Sequence, residues 1–249
     1  MSRRERARTS PGPELVREIH RRLRRAYGPL DPPRGLDPLE ELVLTILSQN
    51  TSDANSGRAF AALRRRFPTW EALAAAPEAA VVEAIRPGGL ANTKAPRIQA
   101  ILREIERREG RLDLSWMAGA SDEEVTAYLL SLPGVGPKTA ACVLAFSLGR
   151  PALPVDTHVH RVAARLGLLE PRATSMRAHE TLAALVSPRL RVSFHVALIR
   201  HGRSLCRAGR PLCERCPLLD LCPAGQRLVG GIPPRMDSSR GPAAADTPG

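Results

Sequence analysis

Lysine is nearly missing from this chain. Of its 37 Lys and Arg side chains only Lys94 and Lys138 are lysines. Arginine stays protonated in proteins and cannot serve as an amine nucleophile, so almost every basic site is closed to that chemistry. Aromatics are also scarce, at 3 % of 249 residues. Runs of β-branched residues are few while alanine and leucine dominate, which points away from sheet and toward helices. No apolar stretch approaches the roughly 20 residues needed to cross a bilayer. No segment has the charged, apolar, small-residue order of a secretory signal. An intracellular, cytoplasmic chain is the expectation, long enough for one large domain or two modest ones.

What is abundant is positive charge. The net charge is +12 and the pI about 10.9. Such a balance calls for a polyanionic partner, nucleic acid being the commonest; the alternative is a solvated basic surface with no partner.

Residues 1–13 are basic, end in Ser-Pro-Gly-Pro and read as a disordered tail, a mitochondrial presequence being the alternative. Glu14 to Tyr27 forms a first helix with Leu15, Ile19 and Leu23 on one face. A proline-rich linker, Gly28 to Pro38, leads to helices over Pro38–Leu47, Ala54–Phe67 (capped by Ser52 or Asp53), Thr69–Ala76, Pro77–Ile85, Thr93–Glu109, Asp122–Leu130 and Pro137–Leu148. Further helices follow at Val159–Leu166, Met176–Leu185 and Val192–Arg203, then a cysteine-rich loop over 206–222. Residues 227–249 read as a disordered tail.

The string Leu132-Pro133-Gly134-Val135-Gly136-Pro137-Lys138-Thr139-Ala140 joins two of these helices. Gly134 and Gly136 permit a tight turn, and Pro137 suits the first position of the second helix. Amide N–H groups left free at such a helix start bind phosphate, which is how helix–hairpin–helix units hold the DNA backbone without reading sequence. An ordinary turn between helices also favours glycine. Lys138 falls in the first helical turn, where the positive end of the helix dipole disfavours an ammonium. A neutral amine there can attack a sugar carbon and form a Schiff base. A phosphate contact is the other role open to it, but arginine would serve equally well.

Asp156 lies 18 residues further on, in Val155-Asp156-Thr157-His158-Val159-His160-Arg161. It precedes a helix and can act as an N-cap. Across a cleft from Lys138 it could also deprotonate the amine and stabilise positive charge on the sugar. His158 and His160, two apart, do not share a helix face and are assigned to packing or phosphate contact. Cys206, Cys213, Cys216 and Cys222 form C-x6-C-x2-C-x5-C, four thiolates within 17 residues. They can wrap one metal site, and ligand type alone leaves both zinc and an iron–sulfur cluster open. Cys142, inside a helix, reads as a small buried hydrophobe.

Together these strings resemble the endonuclease III family of helix–hairpin–helix DNA glycosylases over roughly residues 14–226. The resemblance implies an all-α fold in two parts. Residues 31–150 would form a six-helix barrel-like domain carrying the hairpin, and 14–30 with 151–226 a helical domain built around a [4Fe–4S] cluster. It assigns Lys138 and Asp156 as the catalytic pair, and Cys206, Cys213, Cys216 and Cys222 as the cluster ligands. The cluster would hold Arg207, Arg210 and Arg215 against phosphates. Leu47-Ser48-Gln49-Asn50-Thr51-Ser52-Asp53 resembles the family's loop that fills the duplex after base flipping, with Asn50 at the plug position and Gln49 beside it. DNA contacts are thus expected at Gln49, Asn50, Gly134, Gly136, Arg207 and Arg210.

The implied activity is base excision repair by a monomeric, DNA-associated glycosylase and abasic-site lyase acting on double-stranded DNA with a damaged, oxidised pyrimidine. The loop string and Leu112-Asp113-Leu114-Ser115-Trp116 also resemble plant methylcytosine glycosylases. A mismatch or methylcytosine enzyme, or a non-catalytic DNA-binding module, are the alternatives.

Overall fold

The structure is a computed structural model describing residues 11–31, 35–170 and 172–230. The Arg-rich start, part of the proline linker and the tail from residue 231 lie outside the described residues, as do the expectations of disorder placed on them. The described residues form helices and no strand.

The chain begins with α1 (Pro13–Tyr27). Then come α2 (Pro38–Leu47), α3 (Asp53–Arg66), α4 (Trp70–Ala75), α5 (Glu78–Ile85), α6 (Ala91–Glu109) and α7 (Asp122–Ser131). Their starts are fixed by local chemistry. Asp37 accepts from the amides of Leu39 and Glu40 while Glu40 returns to the Asp37 amide, and Ser121 and Glu124 make the same reciprocal pair at α7. Ser52, one of the two caps expected, accepts from the Asn55 amide and starts α3 at Asp53.

After the hairpin, α8 (Pro137–Cys142) does not continue to Leu148 as one regular helix. Val143–Ser147 is a π-helical turn in which the Leu148 amide reaches back to the Val143 carbonyl at 3.1 Å. One residue inserted into a helical turn leaves the apolar pattern nearly intact, so periodicity does not reveal it. The chain closes with α9 (Thr157–Arg165), α10 (Ser175–Leu185), α11 (Arg191–Ser204) and α12 (Pro223–Val229). α12 corrects the boundary drawn at 227: with Pro223 at its first position and Cys222 Sγ accepting the Gly225 amide, the helix runs on to Val229.

Two hydrophobic cores form. One, from Leu39 to Leu144, is built by α2–α8. The other joins Val16, Ile19 and Leu23 of α1 to Val159, Val162, Leu182, Phe194 and Leu198 of α9–α11. The N-terminal helix thus returns to pack with the C-terminal ones, and polar contacts hold it there: His20 to Ser193 at 2.9 Å, and Tyr27 to His201 and Ser204, each at 2.9 Å. Between the cores, Arg203 of α11 grips both carboxylate oxygens of Asp53 on α3 at 2.6 and 2.8 Å. This bidentate pair holds the Asp53 carboxyl below the usual carboxylate range. No single helix among the described residues is long and apolar enough to cross a membrane.

The rarity of lysine does not mark chemistry at Lys94. It is buried, and its ammonium donates to the carbonyls of Leu47 at 2.6 Å and Gly88 at 3.0 Å, tying α6 to the loop after α2. Burial pushes its pKa down. Lys94→Met fills similar space but leaves both carbonyls unpaired. Urea denaturation should show a loss of about 2–3 kcal/mol; an unchanged midpoint would show that water replaces the ammonium.

His195 gives a second test. It is buried, and its Nδ1 donates to the Pro154 carbonyl at 2.7 Å, which leaves Nε2 bare. Burial pushes its pKa down to about 4. The unfolded chain takes up this proton near the ordinary value of about 6.5, so stability is lost as pH falls from there toward the folded value and is independent of this group above it. His195→Asn should reduce the slope of stability against pH in that window by up to about 1.4 kcal/mol per pH unit. An unchanged slope would assign the acid sensitivity elsewhere.

Candidate active site

The two cores leave an open cleft of about 1140 Å³ between them. Three of the helices that line it do so with one stripe at helical spacing. α2 contributes Glu41, Leu44, Thr45 and Ser48; α8 and its π turn contribute Lys138, Cys142 and Phe146; α11 contributes His195, Ile199 and Arg203. The π turn places Phe146 against the His195 ring, with centroids 5.6 Å apart.

Lys138 and Asp156 both line this cleft. Each sits at a helix start, Lys138 in the first turn of α8 and Asp156 as the cap of α9. The Asp156 cap is real: Oδ1 accepts the Val159 amide at 2.7 Å. Its Oδ2 has no hydrogen bond among the described residues, so one carboxylate serves both as cap and as a negative charge facing the cleft.

The hairpin that presents Lys138 depends on Gly134, whose φ of +72° is open to glycine at little cost. A Cβ there would also strike the Arg97 side chain, 2.7 Å away. Gly136 differs. Its backbone is extended and a Cβ would meet nothing in the protein, so the fold itself does not demand glycine there. The amides of Gly134 and Gly136 find no acceptor among the described residues.

Gln49 and Asn50 stand in the same cleft. Asn50 adopts a left-handed φ of +53°, a conformation asparagine tolerates better than most residues. Gln49 Oε1 accepts from Arg97 at 3.1 Å, and Lys94 holds the preceding Leu47 carbonyl, so α6 supports the loop from beneath. His158 faces the cleft with its Nδ1 3.0 Å from Arg161, while His160 turns away and contacts the Ala173 carbonyl at 2.9 Å. Arg207 and Arg210 are exposed on the cysteine loop and do not line the cleft.

Three features escaped the sequence reading. Glu41 is a buried carboxyl on an otherwise apolar helix, and its position among leucines was the available signal. Its pKa is raised by burial, and Lys138 acts in the opposite direction. The Asp53–Arg203 pair joins residues 150 apart, with no local signature. Leu90 is 55 % exposed at a left-handed φ of +52°, at the head of α6; no pattern in the sequence marks it.

The four cysteines of the loop line one apolar cavity with Val162, Leu166, Leu205 and Leu219. The amide of Leu218 donates to Cys216 Sγ at 3.4 Å, that of Gly225 to Cys222 Sγ at 3.3 Å, and Arg165 to Cys206 Sγ at 3.3 Å. Donors aimed at sulfur stabilise thiolate ligands. Four thiolates lining one apolar cavity are a donor set that suits an iron–sulfur cluster as well as a metal ion.

Residues 43–188 match the model of the HhH-GPD superfamily of base excision DNA repair proteins. Endonuclease III of Thermotoga maritima is 37 % identical over 210 residues, which cover 84 % of this chain and 91 % of that protein. A putative DNA glycosylase of Arabidopsis thaliana is 39 % identical over 178 residues, 72 % of this chain and 58 % of the plant protein, so the chain spans less than two thirds of that relative. A solved non-covalent endonuclease III–DNA complex superposes with a TM-score of 0.76 at 28 % identity, covering 88 % of this chain and 98 % of the other. With Lys138 and Asp156 in one cleft beside the hairpin, the chain belongs to the HhH-GPD superfamily of base excision DNA repair proteins, in its endonuclease III branch of glycosylase/lyases.

Proposed function

We propose that this glycosylase/lyase acts as a monomer on double-stranded DNA, removing oxidised pyrimidines and cutting the resulting abasic site through Lys138. The observation that carries this reading is the shared cleft: the amine, an aspartate with one free oxygen and the Gln49–Asn50 loop all face it. The hairpin amides of Gly134 and Gly136 hold a phosphate. The base is flipped into the cleft and Gln49–Asn50 fills the gap it leaves. Neutral Lys138 then attacks the sugar C1′ and the base departs with the bonding electrons. The resulting Schiff base loses a C2′ proton and expels the 3′ phosphate. Asp156 stabilises positive charge developing on the sugar.

Cys206, Cys213, Cys216 and Cys222 would hold a [4Fe–4S] cluster. Excision needs no electron transfer, so when bound the cluster supplies cross-linking of the loop and not a reaction step. Arg207 and Arg210 on that loop would meet phosphates outside the cleft.

Asp156→Asn keeps the cap, since asparagine caps as well as aspartate, but removes the charge. Base release should slow about 100-fold or more with the melting temperature nearly unchanged; near-normal release would leave Asp156 only its capping role.

Duplexes carrying thymine glycol, T·G, U·G or 5-methylcytosine·G test the substrate. Incision should be fastest at thymine glycol and end in a β-elimination product. Preferred cutting at a mismatch or at methylcytosine would overturn the oxidised-pyrimidine assignment, and no incision of any duplex would leave a binding module.

The purified protein should contain iron and acid-labile sulfide in equal amounts, with both reduced in Cys213→Ser. Zinc without sulfide would refute the cluster.

A further inference from the structure

His201 is 2 % exposed on α11, where the other buried positions hold Phe194, Ala197 and Leu198. Burying an imidazole there costs free energy unless its ring nitrogens find partners, and both do. Nε2 lies 3.5 Å from Cys216 Sγ, and Nδ1 lies 2.9 Å from the hydroxyl of Tyr27 on α1. Ser204 Oγ, 2.9 Å from the same hydroxyl, can donate to it. The His201 carbonyl meanwhile accepts the Cys206 amide at 2.9 Å, so one residue touches two of the four cysteines that line the apolar cavity. α1 meets the cysteine loop at a second place. There Arg22 donates to the Pro217 carbonyl at 3.2 Å and to Asp220 at 2.5 Å, in the stretch between Cys216 and Cys222.

The direction of this line follows from the sulfur. A thiolate ligand has no proton to give, so a bond to it needs the imidazole proton on Nε2. In a neutral ring Nδ1 is then bare and must accept, and the Tyr27 hydroxyl can turn to supply that proton while accepting from Ser204. The Leu218 and Gly225 amides and the Arg165 guanidinium, which also reach cysteine sulfurs, carry their protons permanently. The His201 bond differs, because Tyr27, 174 residues away, sets which nitrogen is the donor. On the reading that the four cysteines hold a [4Fe–4S] cluster, we propose that His201 donates to the Cys216 thiolate and that Tyr27 fixes the tautomer for it. The N-terminal helix thereby helps to hold the cluster and tunes its potential. A donor at sulfur draws charge from the thiolate, favours the more negative reduced state and raises the potential. His201 touches no reacting atom and is a positioning residue.

The test uses the full chain purified with its iron and sulfide. Loss of the cluster's visible absorbance is followed under an iron chelator, and the midpoint potential is measured by film voltammetry. His201→Leu, which removes the donor, should lose the cluster about tenfold faster or more and move the potential to a more negative value. Tyr27→Phe, which keeps the ring and removes the hydroxyl, should move both readouts in the same direction by less, and it carries the test if the leucine variant misfolds. His201→Gln, whose amide can still donate, should fall between His201→Leu and the wild type. Unchanged loss and potential in His201→Leu and Tyr27→Phe overturn the proposal. Faster loss at an unchanged potential overturns it too, since that is the result if the two side chains only fill space. Failure of the cluster reading is separable, because it would show in the wild-type protein as zinc without sulfide, before any variant is compared.

Discussion

The site depends on two helix starts being brought to one cleft by two cores that meet without merging. α8 presents Lys138 and α9 presents Asp156, each in the first turn or cap of its helix. Neither group positions the other directly. Lys138 is fixed by the first core through Val143 and Leu144, and Asp156 by the second through Val155 and Val159. Asp53 and Arg203 join the walls, with two short charge-assisted bonds that resist a hinge between them. A cleft built this way leaves open space between Lys138 and Asp156 while both stay on rigid helices.

The electrostatics of the cleft are sparing in a strongly basic protein. Arg203 is neutralised by Asp53, His195 is kept neutral by burial, and Arg97 spends a donor on Gln49. Lys138 is thus the amine among guanidinium groups that are otherwise engaged. Lys94 is engaged as well, its ammonium donating to two buried carbonyls.

Much of this was legible in the sequence. Apolar spacing at three and four gave the helices, and Ser52 marked the start of one. The Leu132–Ala140 and Val155–Arg161 strings gave the two groups that face the cleft. The π turn at Val143–Ser147 was not legible, because it shifts side-chain direction without changing composition. The Asp53–Arg203 pair is a contact between distant segments, invisible to local pattern. Glu41 was visible as an acidic residue within an apolar helix, but its burial was not. Lys94 shows the limit of reasoning from rarity: scarcity drew attention to two lysines, and only their surroundings separated the buried anchor from the half-buried amine in the cleft.

That separation allows a direct measurement. After borohydride reduction on an abasic duplex, the adduct can be digested and its attachment site located by mass spectrometry. The account predicts the sugar remnant on the peptide containing Lys138 and none on the peptide containing Lys94. Attachment at Lys94, at the N-terminal amine, or no covalent adduct from protein that binds the duplex would contradict it.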